Sequence, residues 1–124
     1  MQQPAQPTLR YTRNEDGTPV PCPDIMAWHR WMMTADRRVC EDHQEFGESW
    51  EVTISTVFLG IDFGFLMSPK PILWETVVFT DGILPDLDLT GRRYTSQEDA
   101  IAGHQEICFR VANRLAATLP GRGR

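Results

Sequence analysis

Two β-forming runs, WEVTISTVFLGID (residues 50–62) and PILWETVVF (residues 71–79), constrain this chain more than any other feature. Both are rich in β-branched and aromatic residues, which suit a pleated, half-buried surface. The first alternates strictly, with Trp50, Val52, Ile54, Thr56 and Phe58 on one side and Glu51, Thr53, Ser55, Val57 and Leu59 on the other. The first set reads as the core face. The second begins polar and ends apolar, so only the far end of this strand is expected to be covered on both sides. Sequential strands joined by a short loop, here carrying Gly64 and Pro69, are most simply antiparallel.

Helical patterns flank these strands. Ile25, Trp28, Met32, Ala35 and Val39 step by three and four, a buried stripe on a helix that Pro23 and Asp24 are suited to start. Arg30, Asp36, Arg37, Arg38 and Glu41 lie mostly off the stripe as solvated charge, while Trp31 and Met33 lie off it as large apolar groups and offer a second contact. Downstream, the loop Thr80–Gly91 leads to a short strand at Arg92–Thr95. Ser96 then reads as an N-cap with Glu98 and Asp99 in the first turn, followed by the stripe Ile101, His104, Cys108, Val111 and Leu115. The helix should end near Leu119–Gly121.

The expected fold is α+β: a small antiparallel sheet of three to four strands packed with two main helices in the order α-β-β-β-α. Residues 1–22 form a proline-rich arm, mostly irregular, with an edge strand available at Thr8–Arg13 before the turn signal Asn14–Gly17. Residues 23–119 are one domain and 120–124 a disordered basic tail. The expected core is Trp28, Met32, Val52, Ile54, Phe58, Val77, Ile101, Cys108 and Val111.

At 124 residues, one such core is large enough to stand without metal or disulfide staples. The 17 acidic and 12 basic residues give a formal charge of -5, which opposes general binding to nucleic acid or an anionic membrane surface. The cysteines Cys22, Cys40 and Cys108 match no disulfide framework and read as reduced thiols. With no apolar leader and no run long enough to cross a bilayer, the expected location is the cytoplasm.

The blocks GTPVPCPDIMAWHRWM, RRV, ISTVFLGID, PILWETVVF and RYTSQEDAIAGH, spread from Gly17 to Val111, resemble a family of small proteins of unassigned function encoded by bacteriophages, prophages and related bacterial genomes. The resemblance implies a phage origin, hence the host cell cytoplasm, and a shared fold, without naming a chemistry. It has departures: Phe63 follows Asp62 where the family pattern tends to a His, and Thr80-Asp81-Gly82 stands where it tends to a glycine-rich turn. If that His serves a shared site, its replacement favours a binding role.

Glu75 shares a strand face with Leu73, Val77 and Phe79, so a helix packed there would bury a carboxylate and raise its pKa. The alternative turns Trp74, Thr76 and Val78 inward and leaves Glu75 in an ion pair with Arg92, Arg93 or a helix arginine. His104 interrupts the apolar stripe of the last helix, where it is either one half of a His–carboxylate general base with Glu75 or a hydrogen-bonded residue at the core edge. Asp62 either joins that cluster or caps its loop. Cys40 and His43 are spaced to reach one ion from a helix, but two ligands do not close a zinc site, and no metal or cofactor is expected.

Two functional readings follow. In the first, a phage-type accessory protein acts without enzymatic chemistry by protein binding, as a homodimer or on a host protein, through Trp31, Met33 and the acidic loop residues Asp81, Asp86 and Asp88. In the second, a small acid–base hydrolase uses Glu75, His104 and Asp62. The absence of a nucleophile elbow or phosphate loop favours the first.

Overall fold

The computed structural model describes residues 9–46, 50–65, 67–80 and 92–118. Its elements are β1 (Tyr11–Arg13), β2 (Pro19–Pro21), α1 (Ile25–Thr34), β3 (Arg38–Phe46), β4 (Trp50–Phe58), β5 (Trp74–Thr80), β6 (Arg92–Tyr94) and α2 (Gln97–Thr118). The fold is α+β. β3, β4, β5 and β6 form a four-stranded antiparallel sheet in sequence order, and β1 and β2 a separate antiparallel pair. No helix among the described residues is long and apolar enough to cross a membrane.

α1 begins where the sequence indicates, because the Asp24 side chain accepts from the Met26 and Ala27 backbone N–H groups at 3.0 and 3.2 Å. It ends sooner. The expected helix to about Val39 stops at Thr34, Ala35 is extended, and the Asp36 carboxylate accepts from the Arg38 N–H at 3.1 Å. Residues 38–46 then pair with β4 from Arg38↔Val57 to Phe46↔Trp50, with a bulge between Arg38 and Cys40. Long-range pairing has overridden a local helical period, and the charged sequence RVCEDHQEF has no apolar alternation to announce an edge strand.

α2 starts at the expected cap, the Ser96 hydroxyl accepting from the Asp99 N–H at 3.0 Å. It crosses the inner face of all four strands. β4 faces as its alternation implies: Val52, Ile54, Thr56 and Phe58 are buried. Val52 and Ile54 pack with Ile107, Val111 and Leu115 at one end, and Phe58 packs with Leu73, Trp74 and Ala100 at the other. The inward row of α2 is therefore Ala100, His104, Ile107, Val111 and Leu115. Ile101, expected in the core, is exposed because the helix is rotated toward Ala100 and Ile107, while Val77 lies on the outer face and Val78 packs inward. Trp28, Met32 and Cys108 are half-buried.

The described part of the proline-rich segment is tied to this body. Gly17, with φ +91°, closes the turn between β1 and β2. The Gly60 carbonyl accepts from both the Tyr11 N–H and the Trp28 indole N–H, each at 2.9 Å, and joins the hairpin, α1 and the end of β4 at one acceptor. Arg13 donates to Gln97 and to the Asp36 carbonyl and lies over the Phe58 ring.

Ile54→Ala should cost ~2–5 kcal/mol in denaturant unfolding, whereas Ile101→Ala should cost less than about 1 kcal/mol. Gly103→Ala should destabilise by ~1–3 kcal/mol despite alanine's better helix propensity, because its Cβ would run into the Tyr94 ring.

Candidate functional site

β3 and α2 bring one polar cluster together through two different periods. The two-residue repeat of β3 places Cys40, Asp42 and Gln44 opposite Thr56, Ile54 and Val52, all inward on β4. On α2, His104 and Cys108 stand four residues apart on one face. His104 is only 2% exposed, and it bonds Asp42 Oδ2 through Nε2 at 2.6 Å and the Thr56 hydroxyl through Nδ1 at 2.7 Å. Thr56 in turn meets the Thr76 hydroxyl at 2.5 Å. An ionised carboxylate only accepts, so Nε2 carries the proton; in the neutral ring Nδ1 then accepts from Thr56, and Thr56 accepts from Thr76.

Asp42 lies at the solvent end of this chain, with its side chain 58% exposed. The hydrogen bond from His104 is the main reason its carboxyl titrates below the usual range, and the Cys108 thiol adds to this by donating at 3.6 Å. Burial, reinforced by the nearby Asp42 charge, pushes the Cys108 thiol up to about 11, and burial likewise raises Cys40. Gln44 closes the cluster by donating to the Cys108 carbonyl at 3.1 Å.

The connectivity Asp–His–Thr matches that of a nucleophilic triad, but the attacking group is misplaced. Thr56 is fully buried and shares its hydroxyl with Thr76, both His104 nitrogens are engaged, and Cys108 is a thiol rather than a thiolate at neutral pH. The arrangement suits a buried polar tie between helix and sheet.

The residues singled out from sequence are dispersed. Glu75 occupies the outer face, bonded to Arg93 at 2.9 Å, since β5 turns Trp74, Thr76 and Val78 inward. His104 does point into the sheet, but it meets Thr56 and Asp42. Asp62 closes its loop by accepting from the Gly64 and Ile72 N–H groups at 2.8 and 2.9 Å. The structure thus does not bring Glu75, His104 and Asp62 together. Cys40 and His43, three apart on a strand rather than a helix, point to opposite faces, and His43 bonds Thr53 on the outer side. Trp31 packs edge-on to Phe58, with centroids 5.8 Å apart, so it is part of the core; Met33 is 71% exposed. Asp81, Asp86 and Asp88 lie outside the described residues. Asp42 was not identified from sequence, and Thr56 and Cys108 only as core-facing residues, because the cluster closes only when residues 38–46 are a strand that brings Asp42 to His104.

No family model matches the chain, and neither a curated protein nor a solved structure matches it.

Thr56→Val should cost ~1–3 kcal/mol, since it leaves the Thr76 hydroxyl and His104 Nδ1 buried without their shared partner. Asp42 binds its proton less readily in the folded chain. Its stabilising contribution is therefore present above the ordinary Asp value of about 3.9 and lost as pH falls through the lower folded value. Melting curves between about pH 5 and pH 2 should fall more steeply for the wild type than for Asp42→Asn, which has no carboxyl to titrate.

Proposed function

We propose that this is a non-enzymatic accessory protein that works by binding protein, with the outer face of α1 as its contact surface. The observation that carries this reading is the pair Met26 and Met33, 62% and 71% exposed and two helical turns apart on one side of α1. The opposite side of the same helix is anchored by Trp28 on Gly60 and Trp31 on Phe58, so the methionines are held on a fixed support. Methionine is a flexible, polarisable contact residue that adapts to its partner.

A twofold pairing of this face with itself is the simplest way to cover it, and the reading includes a homodimer. The resemblance to phage-encoded proteins makes a host cytoplasmic protein the natural second partner, with a basic surface that complements the net negative chain. The acid–base reading has no comparable support, because its carboxylate, imidazole and second carboxylate are committed to separate local bonds.

Light scattering at micromolar concentration should give a dimer mass. A Met26→Glu/Met33→Glu double variant should shift it to monomer with an unchanged melting temperature, since both side chains are exposed. A wild type that stays monomeric across a wide concentration range contradicts self-association through α1.

A further inference from the structure

Asp42, His104 and Cys108 present a carboxylate oxygen, an imidazole nitrogen and a sulfur, all within 4.8 Å of one another. We propose that these residues form a three-ligand site for a divalent cation of the zinc type, with a fourth position open to water on the Asp42 side. This goes beyond the binding role assigned to α1 and is independent of it.

The donor set is the first argument. One nitrogen, one sulfur and one carboxylate oxygen are what a borderline-soft, tetrahedral ion takes, and three protein ligands leave one position for solvent. The second is the supporting shell. A metal-bound imidazole uses one nitrogen for the ion and donates its other N–H to a fixed acceptor, which sets the tautomer. Here Nδ1 already faces the Thr56 hydroxyl at 2.7 Å, and Thr56 faces Thr76. Hydroxyls both donate and accept, so the chain reverses without losing a bond: Nδ1–H donates to Thr56, and Thr56 donates to Thr76.

The third argument is access. Asp42 and His104 Nε2 stand 2.6 Å apart, closer than the roughly 3.3–3.8 Å between donor atoms around a tetrahedral zinc, so the ion must part them. Asp42 is the exposed member, with room to swing outward, while His104 and Cys108 are held by the helix. The proton balance is simple. The ion takes the place of the thiol proton of Cys108, which leaves to solvent; the Nε2 proton of His104 is relocated to Nδ1; and three bonds, to His104 Nε2, Cys108 Sγ and an Asp42 carboxylate oxygen, replace waters of the hydrated ion as the Asp42–His104 hydrogen bond breaks.

Cobalt(II) added to the chelator-treated full chain tests this directly, because a thiolate ligand gives a near-ultraviolet charge-transfer band and a tetrahedral site gives intense visible d–d bands. The proposal expects both at one ion per chain, their loss on adding zinc, and a zinc-dependent rise in melting temperature. Cys108→Ser should abolish the charge-transfer band, while Cys40→Ser and Cys22→Ser should retain it. Thr56→Val should weaken binding about 10–100-fold without changing the spectrum, as loss of a supporting hydrogen bond does. Absence of the band in the wild type overturns the proposal whatever the variants do. So does a band that survives Cys108→Ser or disappears with Cys40→Ser or Cys22→Ser.

Discussion

His104 sits between α2 and three strands with almost no contact with water, and a polar ring in that position costs free energy unless both of its nitrogens are bonded. The fold meets this requirement with side chains from three different strands: Asp42 on β3, Thr56 on β4 and, through Thr56, Thr76 on β5. The bonds are directional, so they specify the position of α2 along the sheet more narrowly than the apolar contacts around them. Val52, Ile54, Ile107, Val111 and Leu115 supply the area removed from water on one side of the ring, and Phe58, Leu73, Trp74 and Ala100 on the other. The polar chain lies between these two apolar clusters and sets their register.

The inner face is thereby occupied by the helix, and the surface proposed for docking lies elsewhere. Glu75 and Arg93, with Phe63 beneath the guanidinium, form a local arrangement on the outer face of the sheet. α1 is placed differently. Trp28 and Trp31 face the body, and the methionines on its far side are free of it. A helix anchored by aromatic groups on one side and carrying flexible apolar groups on the other is suited to docking, which is why the binding reading fits this molecule better than catalysis.

Much of the fold was legible in the sequence where side-chain period and cap chemistry agree. The facing of β4, the Asp24 and Ser96 caps and the α+β class follow from residues whose local preference matches their tertiary role. Residues 35–46 were not legible, because Ala35 and Val39 happen to continue the helical step of α1 while the strand carries charge on both faces. That one misreading hid the site. With residues 38–46 helical, Cys40 and His43 look like partners; with them extended, Asp42 joins Cys40 on the inner face and meets His104 and Cys108. The rotation of α2 was missed for a related reason: Ile101 is the larger apolar residue, but Ala100 is the one that fits against Phe58, Leu73 and Trp74.

The central claim is that a bonded imidazole at His104 locks α2 to the sheet. Nitrogen-15 NMR of the histidine rings in the metal-free protein tests it most directly. The account predicts one His104 ring with its proton on Nε2, coupled to that nitrogen and exchanging slowly with water, and a second nitrogen with the shift of an acceptor. A His104 ring whose two nitrogens average and whose proton exchanges as fast as that of the exposed His43 would contradict it.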